Sequence, residues 1–425
     1  MTDSPRDHQL NDIPETTNDV ALIRGLTESR SSRRGLLRAG VGAAGALGLA
    51  PLLSACGVAG TAASAKKSHE FDWDAWWQKQ KPTDELVFAN WPYYLDTSDH
   101  GKKHPSLDLF TKATGINVTY KEVIQNNAPF YAQISPVLQA GQPTGYDIIV
   151  ITNGWQLTQL LENAWLVPLW MDKLPNFQKY ASPSVKSPAY DPNSKYSVVW
   201  QSGFTGIGYN PKLTGREITS VDDLWDPKFS GHVGMMSDNT ELGSLGLLKL
   251  GIKPSTSSKS DWDKAAKVLN QQKPLVRQYY DQSYITALQN GDIWITQAWS
   301  GDIYQANLKG YKDLKFVIPD QGVMYWHDNM MIPLKPKNAL SALSWMNFYY
   351  TPKIAGIVAD WVNYISPVPA AQDYIRDTLK DPTVANSPLV FPTKADYAKA
   401  HDYYTFKSYA EYTSWNNTFN PIIQS

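Results

Sequence analysis

Acids and aromatics at short spacings carry the chemistry this sequence could do. In Met324-Tyr325-Trp326-His327-Asp328-Asn329, Trp326 stands two residues before Asp328, and a short apolar run from Met330 to Ile332 follows. An indole face attracts a cation through its quadrupole, and a carboxylate does so by charge and hydrogen bonds. The stretch therefore reads as the mouth of a pocket for something positively charged. The plainer alternative is a strand end whose Trp is core and whose Asp starts a turn. Asp238 and Glu241 have the spacing of a helix capping box, in which Asp caps and Glu reaches back. Two nearby acids could also hydrolyse a glycoside if set about 5–5.5 or 6.5–9.5 Å apart. No G-x-S-x-G elbow, Walker loop or H-E-x-x-H accompanies them. His100 and His104 flank Gly101-Lys102-Lys103 and precede Pro105, which reads as a solvated loop rather than a metal helix. An enzyme is not expected, and neither is a cofactor or a metal site.

The elements that must position these residues follow from periodicity. Leu86 to Asn90 reads as a first strand, with Trp91 and Tyr94 at its C-terminal end, where open α/β sheets place ligands. Leu107 to Thr114 reads as a helix stopped by Gly115. Ile116 to Tyr120 is a second strand, and Ala132 to Ala140 a second helical segment. Asp147 to Ile151 is a third strand, continuously apolar as in a covered parallel sheet, and Thr152 follows it. Gly206 to Asn210, Val233 to Met236 and Ile293 to Ala298 read as further strands, the last running into Trp299. Alternating strands and helices give an α/β fold. At 425 residues the chain is long enough for two domains. It is 42% hydrophobic with a net charge of −1, so a real core is expected and nucleic acid is not.

The N-terminus is polar to about residue 30. Ser32-Arg33-Arg34-Gly35-Leu36-Leu37-Arg38 then precedes an uncharged Ala/Gly/Leu run from Ala39 to Ala55. A basic stretch before a short apolar run is a signal peptide rather than a spanning helix, which needs about 20 apolar residues. Adjacent Arg33 and Arg34 resemble the twin-arginine export signal, a route that carries folded proteins. Leu53-Ser54-Ala55-Cys56 resembles a bacterial lipobox, so Cys56 is expected to carry lipid and hold the protein at the outer face of the cell membrane. It is the chain's one cysteine, which excludes an internal disulfide. Residues 57–82 read as a flexible tether.

The body resembles the spermidine/putrescine-binding proteins of ABC importers, a branch of the periplasmic-type solute-binding family. The resemblance rests on the order of Asn90-Trp91 with Tyr94, Thr114-Gly115-Ile116-Asn117-Val118, Tyr146-Asp147-Ile148-Ile149-Val150, Gly206-Ile207-Gly208-Tyr209-Asn210, Asp223-Leu224-Trp225-Asp226-Pro227, Trp299-Ser300-Gly301, Trp326-His327-Asp328 and Tyr364-Ile365-Ser366-Pro367. It covers about residues 85–375. It implies two α/β lobes with a ligand cleft between them, here 83–201 plus 327–375 and 202–326 plus 376–425. It also implies hinges near Trp200 to Phe204 and Gly322 to Trp326, and closure onto a membrane permease. Carried over by position, Trp91, Tyr94, Thr152, Trp299, Trp326 and Tyr364 would line the cleft, and Asp238, Glu241 and Asp328 would meet ammonium groups. Thr152 keeps the family's hydroxyl after the third strand, but Asn153-Gly154-Trp155 lacks its tyrosine in register. The late glutamine of the family has no match near Trp415-Asn416-Asn417. Spermidine and putrescine therefore both stay open. The same scaffold could hold a sugar, or ferric ion through tyrosine pairs such as Tyr279-Tyr280, Tyr349-Tyr350 and Tyr403-Tyr404, though such pairs more often pack.

Overall fold

Four consecutive apolar residues, Ile148 to Ile151, are buried without exception. A strand covered on both faces needs no alternation, and each such side chain contributes about 1.5–3 kcal/mol by leaving water. A computed structural model of the chain describes residues 71–98, 103–308 and 313–424. Arg33, Arg34, Cys56 and most of the expected tether lie outside the described residues, as does His100.

In chain order the described elements begin with helix α1 (Trp73–Gln78) and strand β1 (Glu85–Asn90). Helix α2 (Pro105–Thr114), strand β2 (Asn117–Glu122), helix α3 (Asn127–Gln139), strand β3 (Ile148–Thr152) and helix α4 (Trp155–Glu162) follow. Strand β4 (Ser197–Tyr209) leads to β5 (Val233–Met236), helix α5 (Asn239–Lys249), helix α6 (Lys259–Gln272) and β6 (Val276–Tyr280). Then come β7 (Ile295–Trp299), helix α7 (Ser300–Leu308), β8 (Lys315–Val317) and β9 (Val323–Met331). Helices α8 (Ala339–Tyr349) and α9 (Pro352–Val362), the short β10 (Ala400–His401) and helix α10 (Tyr409–Ile423) complete the elements used below.

The strands join in the order β2-β1-β3-β9-β4-β7-β5-β6, with β10 on β9 and β8 on β4. β2, β1 and β3 are parallel, and so are β7, β5 and β6. The antiparallel pair β4 and β9 connects the two parallel sets. Two lobes result, each with its own core. Phe88, Ile149, Trp200, Met330 and Trp345 belong to the first, and Ile207, Val233, Leu245, Trp262 and Phe419 to the second.

Three expectations change. Residues 73–78 form a helix rather than the end of a tether, because Trp77 is buried and donates from Nε1 to the Pro168 carbonyl at 2.9 Å. The strand expected at Gly206 to Asn210 begins at Ser197 and is buried along its thirteen residues. Trp326 and Asp328 stand inside β9, not at its mouth, since β4 pairs with it from Met324 to Met331 and β3 from Asp328 to Met331.

Candidate site on the central strands

β9 presents Met324, Trp326 and Asp328 on one face, because successive side chains of a strand alternate. β4 sets Gln201 opposite Asp328, Gly203 opposite Trp326 and Thr205 opposite Met324. A Cβ built on Gly203 would stand 2.2 Å from Trp326 Cζ2, so the glycine is what lets the indole lie flat on the neighbouring strand. The ring reaches along β4 and donates from Nε1 to Thr205 Oγ1 at 3.2 Å.

Two carboxyls flank this indole. Asp328 is buried and accepts from Tyr94 Oη and Thr152 Oγ1, both at 2.6 Å. Burial raises its pKa to about 6, against the opposing pull of those two hydroxyls. Glu241, in the first turn of α5, is also buried. Its Oε1 accepts from Tyr403 Oη at 2.6 Å, Thr205 Oγ1 at 2.9 Å and Trp299 Nε1 at 3.2 Å. Its Oε2 is buried with no hydrogen-bond partner. Burial, aided by the charge of Asp238, pushes the Glu241 pKa to about 7. Among the described residues no Lys or Arg forms an ion pair with either acid. His327 is no counter-charge: burial lowers its pKa to about 3, and its Nδ1 shares a 2.6 Å hydrogen bond with Ser202 Oγ.

Aromatic rings join the two acid positions. Tyr94 meets Tyr364 edge-on at 5.6 Å, and Trp326 lies 5.4 Å from Tyr364. Tyr364 sits over Gly301, whose added Cβ would fall 2.5 Å from the ring. Its hydroxyl donates to Asp302 Oδ1 at 2.9 Å, while Tyr284 donates to Asp302 Oδ2 at 2.7 Å. Tyr284 Oη in turn accepts from the Trp299 backbone N–H at 3.0 Å. Tyr94, Thr152, Glu241, Trp299, Trp326, Asp328 and Tyr364 thus form one connected set. Asp238 stands outside it as an N-cap, accepting from the Thr240 and Glu241 N–H groups. Glu241 does not reach back to complete a capping box, because Thr205, Trp299 and Tyr403 hold its side chain. Trp91 is half-buried against the first lobe's core, and its bonds are to Asn90 and Tyr120.

Thr205, Tyr284, Asp302 and Tyr403 belong to this network and were not expected at the cation site. Of these only Tyr403 carried any signal, as half of a tyrosine pair. A second pair bonds elsewhere: Tyr349 donates to the Trp200 carbonyl and Tyr350 to the Val199 carbonyl, inside the first core. Among the described residues no group of three or more His, Cys, Asp or Glu could hold a metal ion. A hollow of about 460 Å³, lined by Trp77, Trp170, Lys173 and Leu343, is formed by other residues.

Comparison with known proteins sets this geometry in context. Residues 145–400 match the family model for bacterial extracellular solute-binding proteins. The spermidine/putrescine-binding periplasmic protein of Salmonella typhimurium is 28% identical over 317 residues, covering 74% of this chain and 85% of that protein. The putrescine-binding periplasmic protein SpuD of Pseudomonas aeruginosa is 28% identical over 339 residues, covering 76% and 86%. Among solved structures, the spermidine/putrescine ABC transporter substrate-binding protein PotD of Streptococcus pneumoniae superposes with a TM-score of 0.69 at 24% identity, over 80% of this chain and 98% of that one. The TpPotD lipoprotein of Treponema pallidum gives 0.67 at 21% identity, over 80% and 99%.

Proposed function

This chain belongs to the bacterial extracellular solute-binding proteins, and we propose that it captures a polyamine, spermidine or putrescine, for an ABC importer. One observation carries the reading: two buried carboxyls, Asp328 and Glu241, stand at either side of an indole with no cation among the described residues paired to them, and Glu241 Oε2 lacks a hydrogen-bond partner. Polyamine ammoniums stay protonated at neutral pH, much as lysine does. Burying one unpaired costs several kcal/mol, so a carboxylate must meet it. The methylenes between charges suit Trp326, Trp299 and Tyr364, and cation–π attraction adds roughly 0.5–2 kcal/mol. The relatives' names, which specify spermidine and putrescine, agree with this chemistry.

In this reading Trp91, Tyr94 and Thr152 complete the first lobe's wall and Asp238 acts through the helix it caps. The lobes are 83–201 plus 327–375 and 202–326 plus 376–425. They hinge where β4 and β9 cross between them, near Trp200 to Phe204 and Gly322 to Trp326. Asp328 and Tyr94 come from one lobe and Glu241 and Trp299 from the other, so the ligand itself would favour closure. The protein is not an enzyme. It is exported through Arg33 and Arg34 and held at the outer face of the cell membrane by lipid on Cys56, where the closed form docks on a permease. No helix among the described residues is long and apolar enough to cross a membrane.

Calorimetric titration of the purified protein with spermidine, putrescine, spermine and a panel of sugars tests this. Saturation by a polyamine at micromolar concentration or below is expected, abolished or weakened at least thirtyfold by Asp328→Asn, in line with removing one member of a buried charge pair. Silence with every polyamine, or sugar binding that Asp328→Asn leaves intact, would overturn it.

A further inference from the structure

Trp155 opens α4 directly after the turn that ends β3. Leu157 and Leu160 of the same helix are buried in the first core. The Trp155 indole goes the other way and belongs to the second core. It stacks on Tyr412 of α10, with centroids 4.7 Å apart and planes 10° apart. Phe406 meets it edge-on at 6.1 Å, and Tyr409 flanks it at 6.1 Å. Only 7% of Trp155 is exposed. A side chain from one lobe thus fills a slot built by the C-terminal segment of the other.

That segment is tied to the acid site. Trp415, one turn beyond Tyr412, donates from Nε1 to the Asn239 carbonyl at 3.1 Å. Asn239 Nδ2 donates to Asn416 Oδ1 at 2.8 Å and to Asn420 Oδ1 at 2.6 Å. Asn239 is the first residue of α5, the helix that carries Glu241. Displacing α10 from α4 therefore displaces the helix that positions Glu241.

We propose that the Trp155–Tyr412 stack is a latch across the cleft, made only when the lobes are closed, which sets affinity without touching the ligand. The inference rests on the two-lobed capture reading above. A contact present in one of two states biases their ratio by its own free energy, and apparent affinity scales with the competent fraction. An aromatic stack of this kind corresponds to a factor of about three to ten. Because the latch acts on the lobes, the factor is the same for every ligand. A ring that touched the ligand would discriminate among ligands by fit. Both residues are positioning residues.

The test compares the full chain with Trp155→Ala and Tyr412→Ala, and with Trp155→Phe and Tyr412→Phe, which keep a ring. The alanine variants should weaken spermidine and putrescine binding by one common factor of about three to ten, through faster dissociation. The double alanine variant should be no weaker than either single one, since both remove one contact. X-ray scattering should show a larger radius of gyration for the ligand-free alanine variants, and the phenylalanine variants should recover most of each loss. Unchanged dissociation in variants with a native circular dichroism spectrum would overturn the latch, and so would unequal factors for the two ligands. If the parent protein binds no polyamine, the ligand reading fails by itself, and an unchanged radius of gyration then decides against the latch. Should an alanine variant fail to fold, Trp155→Leu keeps apolar volume without the stack and takes its place.

Discussion

Asp328 and Glu241 are buried acids with no ion-pair partner among the described residues. Each carboxyl is desolvated, and their pKa values rise to about 6 and about 7. Between about pH 4 and 7 the folded protein therefore holds protons that the unfolded chain has released. Stability of the ligand-free fold should fall as pH rises through that window, and thermal unfolding at pH 5 and pH 8 measures this. Asp328→Asn removes one of these acids, so it should raise the ligand-free unfolding temperature at pH 8 and leave it nearly unchanged at pH 4. Binding has the opposite sign. An ammonium needs both groups ionised, so affinity should rise with pH and level off above about 7.5. Between pH 7.5 and 5.5 a loss of at least tenfold is expected, and calorimetry near pH 6.5 in buffers of different ionisation enthalpy should register proton release on binding. Flat affinity across that range would mean that neither acid meets the ligand. At this scale the sequence was partly legible. Asp328 and Trp326 stood out as acid and indole two residues apart. Thr205 did not, since a hydroxyl that completes a carboxylate's shell from a distant segment leaves no local pattern.

Strands β4 and β9 show why elements were harder to read than residues. β4 contains Gly203, Gly206 and Gly208, which look like breakers, and burial on both faces removes the alternation that marks a strand. The glycines instead answer close neighbours. At Gly203 the neighbour is the indole of Trp326. Gly203→Ala should cost about 1–3 kcal/mol by overpacking and should move the Trp326 ring off its Thr205 partner. Chemical denaturation, with binding measured on the folded fraction, would separate the two effects. Native-like stability together with native affinity would show that the indole has room that the strand pairing denies it. By contrast β3, β5 and the end of α2 at Gly115 were legible, because a short apolar run and a left-handed glycine cap are local signals. Helix α1 was missed because six residues carry little periodicity, although its three tryptophans in five positions were a sign of docking.

For the whole molecule the prediction concerns closure. A ligand that contacts both lobes should reduce the radius of gyration or leave an already closed form unchanged, and should raise the unfolding temperature with ligand concentration by mass action. No rise at a concentration a hundred times the dissociation constant would contradict binding to the folded state alone. The α/β plan was visible in the alternation of strand and helix patterns, and the two lobes only through the family resemblance. The single sheet running through both lobes was not, because strand order is a long-range property. That order has a consequence for how the chain is made. β9 lies between β3 and β4 in space but is synthesised more than a hundred residues after either. Until about residue 331 has left the ribosome, the inner edges of both earlier strands lack their partner, and α8 and α9 are still missing from the first core. Such late pairing is slow and leaves strand edges open to association. A nascent chain stalled near residue 300 should be cleaved by protease throughout the first lobe, whereas one stalled beyond residue 400 should resist. The protein must then be nearly complete before either lobe is secure, as the folded-protein export route proposed above would require.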